Sequence, residues 1–321
     1  MSTIRTTWSE KVNRQCPLSE YPRPQMARDS YQCLNGEYDY SITPINADAM
    51  GQPDGKILVP FAIECELSGV EGALGDKEAL WYRRTFTVNE DYTGKRVLLH
   101  FGAVDWKCEV YLNGTNIGGH TGGYCPFSFD VTDNLSAENE LIVKVVDPTE
   151  KGTQPRGKQI SKPVGFWYTS TSGIWQTVWL EVVPETYVSS VRLTPDIDSS
   201  SVNVAVSVNG KATVRATVYD GETAVASKEF VGESQIDIPE QKLWSPESPF
   251  LYDLKLELVC DGEVVDTVKS YFGMRKYSLG KDSKGKVRLC LNNKPYFQKG
   301  LLDQGYWPDG IFTPAAPECY A

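Results

Sequence analysis

His120 is one of only two histidines in the 321-residue chain, set between Gly118-Gly119 and Gly122-Gly123. An imidazole is well suited to proton transfer near neutral pH and is also a common metal ligand. No second His, Cys or carboxylate at metal-ligand spacing accompanies it, so no structural zinc is expected, and a hydrogen-bonded loop residue is the simpler role. The 8 cysteines, at 16, 33, 65, 108, 125, 260, 290 and 319, include no CxxC pair and read as reduced, mostly buried thiols. Two further groups have the composition to meet a ligand. Asp105 and Trp106 sit side by side just before a strand, where a purely structural role would have Asp105 cap a turn and Trp106 pack beneath it. Gly165-Phe-Trp-Tyr-Thr-Ser-Thr-Ser-Gly173 gathers aromatic rings and hydroxyls in one loop, with Trp167 and Tyr168 foremost.

Strands must position these residues, because long helical periodicity is almost absent. Cys108, Val110 and Leu112 alternate with Glu109, Tyr111 and Asn113, the period of two expected of a half-buried strand. Asn113-Gly114 then supplies the pair of positive φ angles that a type I′ hairpin needs. Similar short runs over 81–88, 95–101, 140–146 and 175–183 predict an all-β sandwich or jelly roll. In the last of these, Trp175, Thr177, Trp179 and Glu181 would share one face. Pro184 ends that strand and suggests a boundary near Glu185. Beyond it, valines at 202, 204, 206 and 208 alternate with polar or small residues up to Asn209-Gly210. That turn predicts a tight hairpin with the strand carrying Ala212, Val214, Ala216 and Val218. Asp220-Gly221 and Asp261-Gly262 mark two more turns. About ninety residues of this kind fit an immunoglobulin-like sandwich.

Several stretches together resemble one family. Tyr21-Pro-Arg-Pro-Gln-Met26, Trp81-Tyr-Arg-Arg-Thr-Phe86, Leu112-Asn-Gly114, Gly118-Gly-His-Thr-Gly-Gly-Tyr-Cys-Pro-Phe127 with Phe129-Asp-Val-Thr132, Ser172-Gly-Ile-Trp175 and Leu243-Trp-Ser-Pro246 follow one another as in glycoside hydrolase family 2. This is the β-galactosidase and β-glucuronidase family. The resemblance implies a jelly-roll sugar-binding domain over 1–184, an immunoglobulin-like domain over 185–278, and the start of a catalytic (β/α)8 barrel over 279–321. Such a barrel needs about 250 residues and about forty are available, so the stub is expected to dock on the sandwiches, to be disordered or to form an irregular tail.

The same resemblance says what chemistry to look for. Retaining glycosidases use two carboxyl groups about 5 Å apart, and in this family both are glutamates on late barrel strands, the acid following an Asn. Asn89-Glu90 and Asn139-Glu140 copy that dipeptide, but both lie in the jelly-roll region and read as solvated loop carboxylates. No catalytic residue is therefore expected in this chain, and no cofactor or metal. The front domains do supply loops to the rim of the family's sugar site. A pyranose stacks its apolar face on an aromatic ring while its hydroxyls meet planar polar groups, which makes Trp167 and Tyr168 the first sugar-contact candidates. Members similar to the β-galactosidases often present an Asp from this loop, and alignment on Ser172-Gly-Ile puts Trp167 or Tyr168 in its place. Asp105, Trp106 and His120 follow as candidates. Asp303, Gln304 and Trp307 lie where the first barrel strand would open into the site, although many members have His where Gln304 falls.

Composition bounds the partners. A formal net charge of −10 argues against nucleic acid, since a phosphate-binding surface needs a concentrated excess of Lys and Arg. No apolar run approaches the ~18 residues of a membrane helix and no secretory leader is evident, so a cytoplasmic protein without a membrane partner is expected. The expected ligand of the intact enzyme is a terminal β-linked carbohydrate, with the missing barrel as partner. A bare barrel-facing surface would also favour self-association into a homo-oligomer. A different reading is a freestanding carbohydrate-binding or structural jelly-roll protein. An active hydrolase built from these domains alone would require a carboxylate pair that the sequence does not reveal.

Overall fold

The computed structural model describes residues 4–320, and among them every helical turn is a short 3-10 segment while strands account for nearly all regular structure. The all-β expectation holds. The chain forms two compact units.

The first unit gathers Ser30–Val182 with the chain up to Pro22 and from Gln304 onward. Its larger sheet has the spatial order Gly55–Val59, Gly36–Pro44, Glu78–Phe86, Asn139–Val146, Lys107–Leu112, Thr115–Thr121. The second has the order Gln32–Cys33, Val178–Pro184, Lys95–Phe101, Phe127–Asp130. Alternation decides which side chains meet. Leu141, Val143 and Val145 sit opposite Leu112, Val110 and Cys108, all buried on one face. They pack in one cluster with Val97, Leu99, Phe101, Val178 and Leu180 of the second sheet, the interdigitated core of a jelly-roll sandwich. The Asn113-Gly114 turn has both residues at positive φ (51° and 78°), as its sequence predicts. Asn113 also donates to Asn139 Oδ1 and to the Asn134 carbonyl, which ties the hairpin tip to the next loop.

One strand differs from expectation. It begins at Val178, not Trp175, and every residue from Val178 to Val183 is buried. The outer face is covered because Tyr21 donates to Glu181 and the His100 ring stacks on Trp179 at 4.8 Å. Residues 173–174 are diverted to pair with Val104–Asp105.

The second unit comprises Arg23–Asp29 and Val183–Asp303. Three strands, Tyr187–Asp196, Ser201–Asn209 and Glu233–Asp237, form one sheet, while Thr223–Phe230, Thr213–Asp220, Tyr252–Cys260 and Glu263–Phe272 form the other in that order. Seven strands in two sheets match an immunoglobulin-like sandwich. The Asn209-Gly210 hairpin does not form: Ser201–Asn209 and Thr213–Asp220 belong to different sheets. The alternation was a correct guide to burial, since Val202, Val204, Val214 and Val218 share one core. It carries no information on which strand is the partner. Asp220-Gly221 and Asp261-Gly262 do close hairpins, with Asp220 opposite Thr223 and Cys260 opposite Glu263.

Ala27 exchanges two backbone hydrogen bonds with Lys269, so residues 23–29 cover the edge of Glu263–Phe272. Arg28 is buried there against Asp266 (2.9 Å), whose other contact is the Val188 N–H. A last three-stranded sheet, Tyr277–Lys281, Val287–Leu291 and Lys294–Pro295, turns at Asn292-Asn293, both with positive φ. Beyond it Phe297, Leu301 and Leu302 are 80–99% exposed. The residues after Gln304 are packed into the first unit, where Ile311 and Ala315 join Leu58, Phe61, Cys65 and Leu67.

Removing one partner of a buried ion pair leaves the other charge stranded, so Asp266→Ala is expected to destabilise the second unit by about 3–5 kcal/mol. Urea denaturation reads this directly. A loss below about 1 kcal/mol would mean that Arg28 finds water or another acceptor at little cost.

Candidate functional site

The segment from Tyr168 to Ile174 runs through the first unit with only two-residue strand pairings, Tyr168–Thr169 with Gln159–Ile160 and Gly173–Ile174 with Val104–Asp105. Its remaining polar groups are met by side chains. Glu64 accepts from Ser172 N (2.9 Å) and from Ser170 Oγ (3.2 Å). Ser172 Oγ donates to Asp147 (2.8 Å), which also accepts from Thr149 N (2.8 Å). Gln159 Oε1 accepts from Thr171 N (2.6 Å), while its Nε2 lies 2.8 Å from the Tyr124 hydroxyl and 3.3 Å from Asp105 Oδ2. The Tyr82 hydroxyl receives Ile174 N (3.2 Å). Gly173 has φ 90°, and a Cβ there would come within 1.9 Å of that hydroxyl, so no other residue fits.

Three carboxyl groups thus converge on one loop. Burial raises the Asp105 carboxyl to about 8, with the nearby Asp147 charge adding to the effect and Gln159 opposing it. Burial likewise lifts Glu64 to about 7 against the Ser172 hydrogen bonds, and Asp147 is raised for the same reason. Like charges in a poorly solvated site cannot all ionise cheaply, and at these values the Asp105 and Glu64 carboxyls keep a protonated share at neutrality. Among the described residues no three of His, Cys, Asp and Glu are placed to hold a metal ion.

Aromatic rings cover the other side of the segment. Tyr168 stacks on Tyr306 at 4.3 Å, and Tyr306 meets Phe312 edge-on at 4.9 Å. Phe312 in turn lies 5.3 Å from Trp175, whose Nε1 donates to the Gly123 carbonyl. Tyr306 and Thr313 donate through their hydroxyls to the Thr169 and Trp175 carbonyls, both at 2.5 Å. The anchor of this C-terminal segment is Asp309, fully buried, which accepts from Thr6 N (2.8 Å) and Thr6 Oγ1 (2.6 Å), while its carbonyl receives Leu67 N.

The candidate residues fall in different places. Asp105, Tyr168 and the neighbours of Tyr306 are brought together. Asp105 is buried and bound to Gln159, and so is not a turn cap. Trp106 is half-buried after a cis peptide bond. Trp167 is half-buried, with Phe166 against its ring and the Arg156 guanidinium 5.4 Å above it. His120 is on the strand Thr115–Thr121, not in a loop. Its ring stacks on Phe127 at 4.3 Å and its buried Nε2 has no hydrogen-bond partner. Gln304 is exposed and accepts from Lys158 Nζ (3.1 Å), Trp307 packs edge-on with Tyr320, and Asp303 is exposed in the second unit.

Sequence reasoning missed Glu64, Asp147 and Gln159. Asp147 had a signal: it continues the inward parity of Leu141, Val143 and Val145. Glu64 had a weaker one, a carboxylate inside the apolar run Phe61-Ala-Ile-Glu-Cys65. Nothing local marks Gln159.

Comparison with known proteins covers both units. Residues 63–176 match the family model described as glycosyl hydrolase 2 galactose-binding domain-like, and residues 186–275 match glycosyl hydrolases family 2. A β-galactosidase of Thermoanaerobacter pseudethanolicus is 30% identical over 241 residues, 69% of this chain and 31% of its own length. A β-glucuronidase of Streptococcus agalactiae is 22% identical over 301 residues, 88% of this chain and 48% of its own. The solved apo structure of a β-glucuronidase from Ruminococcus gnavus superposes with a TM-score of 0.75 at 20% identity, over 92% of this chain and 53% of that one. The chain therefore spans about a third to a half of the length of these relatives.

A carboxyl that holds its proton more tightly folded than unfolded stabilises the fold at low pH. That share is lost as pH rises from 3.8 through about 8 for Asp105 and from 4.5 through about 7 for Glu64. Stability measured by urea midpoint is expected to fall between about pH 4.5 and about pH 8, and Asp105→Asn, which cannot ionise, to flatten part of that fall. A wild-type profile that is level or rising over this range would contradict the assignment.

Proposed function

Because the chain belongs to glycosyl hydrolase family 2, through the galactose-binding-like domain and the β-domain that follows it, we propose that it forms the non-catalytic front half of a β-glycosidase. The whole enzyme would hydrolyse terminal β-linked sugars of the galactoside and glucuronide kind, by the double displacement of retaining glycosidases. These two sandwiches would shape the rim of its sugar site and support the catalytic domain.

The observation that carries the non-catalytic reading is the commitment of the buried acids. Glu64, Asp105 and Asp147 are the carboxylates that the fold assembles around one loop, and each is engaged by donors of the chain itself: Ser170, Ser172, Thr149 and Gln159. A retaining pair must instead face a bound sugar from both sides of its anomeric carbon. Asp105 and Asp147 are only 3% exposed, which leaves no room for such a substrate. Trp167 is the sugar-contact residue best placed for the supporting role, because Tyr168 already spends its ring on Tyr306. The exposed Phe297, Leu301 and Leu302 are the side chains on which a further domain of the family's kind would seat, and left bare they would promote self-association.

Incubating the purified chain at high concentration with aryl β-galactoside, β-glucuronide, β-glucoside and β-mannoside is expected to release no phenol above a heat-inactivated control. Reproducible release that co-purifies with the protein would place working carboxylates within these residues and overturn the proposal. In tryptophan-fluorescence titrations with galactose and glucuronate, Trp167→Ala is expected to remove any saturable response. An unchanged response would take Trp167 out of the site.

A further inference from the structure

The chain on either side of Cys16 is held against Asn35 and Gly36, which follow closely on Cys33. The Gln15 carbonyl oxygen approaches Gly36 so closely that a Cβ there would lie 2.5 Å from it, and Asn35 Nδ2 donates to the carbonyls of Pro17 (3.0 Å) and Leu18 (3.4 Å). The two thiols lie within hydrogen-bonding reach of each other. Both are free and half-buried, so a small reagent can reach them. Other donors converge on Cys33: its Sγ accepts from Asn35 N (3.4 Å), and the Tyr31 hydroxyl beside it is shared with the Glu20 carbonyl. The Arg84 guanidinium, fixed by a 2.8 Å bond to the Asn35 carbonyl, adds positive charge nearby.

We propose that Cys33 and Cys16 form a reversible disulfide driven by hydroperoxides, with Cys33 as the attacking sulfur and Cys16 as the resolving one. The hydrogen bond from Cys16, helped by Asn35, Tyr31 and Arg84, brings the Cys33 thiol down to about 7 against the cost of burial, while Cys16 is raised. A thiolate at neutral pH is the nucleophile that oxidation needs. Its attack on a peroxide oxygen breaks the O–O bond and leaves Cys33 as a sulfenic acid, with hydroxide departing from hydrogen peroxide and taking up a proton. The Cys16 sulfur then attacks Cys33 Sγ, the S–S bond forms, and the sulfenic hydroxyl leaves as water with the Cys16 proton. Two thiols and one hydrogen peroxide give one disulfide and two waters, and a small thiol reverses the step by exchange. The competing thiols are less suited. Burial pushes Cys65 and Cys108 up to about 12. The bond would fasten the segment before Pro22 to the edge strand Gln32–Cys33 of the first unit.

The test is oxidation of the whole chain by one equivalent of hydrogen peroxide near neutral pH, followed by alkylation and peptide mass analysis. A linked Cys16–Cys33 peptide is expected, with the denatured thiol count falling by two from 8 and recovering in dithiothreitol. Cys16→Ser should stop at a Cys33 sulfenic acid that dimedone traps. Cys33→Ser should consume peroxide at least about tenfold more slowly. Circular dichroism of both variants establishes that they fold. Absence of the linked peptide, oxidation of exposed Cys125 in its place, or a folded Cys33→Ser variant as reactive as wild type would each overturn the proposal.

Discussion

The first unit depends on satisfying the backbone of one segment that crosses its interior without a strand partner of any length. Buried N–H groups must find acceptors, and between residues 170 and 178 four of these acceptors are side chains, while Trp175 N reaches the Ala103 carbonyl. Glu64 takes Ser172 N, Gln159 takes Thr171 N, Tyr82 takes Ile174 N and Asn35 takes Val178 N. An apolar core could not do this. Each acceptor comes from a different element of the sandwich, so the segment acts as a keystone whose course registers those elements against one another. These four backbone donors are all met, and a satisfied polar network of this kind rigidifies a core.

Its electrostatics follow from that role. One of these acceptors, Glu64, is a carboxylate, and with Asp105 and Asp147 nearby the three cannot all carry charge cheaply. Burial raises the Asp105, Glu64 and Asp147 carboxyls, while the hydrogen bonds that they accept from chain donors pull each of them back toward the ionised form. Raised carboxyls in an enzyme family invite a catalytic reading, since perturbed groups cluster at active sites. Here the donors are permanent parts of the fold, and structural networks perturb acids just as active sites do.

How much of this was legible in the sequence varies with the range of the interaction. Period-two alternation and Asn-Gly or Asp-Gly turns are local, and they marked the strands around Cys108–Leu112 and the hairpin at Asp261-Gly262 correctly. Partner choice is not local. The valines of Ser201–Asn209 pointed to a core but not to the sheet, and the Asn209-Gly210 turn carries the chain across the sandwich when a hairpin was expected. His120 shows the same limit: flanking glycines suggested a loop, whereas the register places it opposite Cys108 with its ring on Phe127. Gln159 was invisible because its importance arises from Thr171, Tyr124 and Asp105, which approach it only in three dimensions.

The C-terminal segment shows how a domain of this kind restricts what a ligand can touch. Asp309 is locked by Thr6 and Leu67, and this fixes Tyr306, Phe312 and Thr313 over the carbonyls and rings of residues 168–175. Aromatic surface so enclosed contributes packing energy, and a sugar could reach it only by displacing those contacts. The rings that keep uncommitted area lie just upstream: Phe166 is 66% exposed and Trp167 is half-buried, bounded on one face by Arg156. Sites are grafted onto folds by such leftovers. A sandwich whose interior carboxylates and rings are engaged by its own chain leaves a ligand the surface that its packing does not cover, and the exposed Phe166 and half-buried Trp167 are part of that surface.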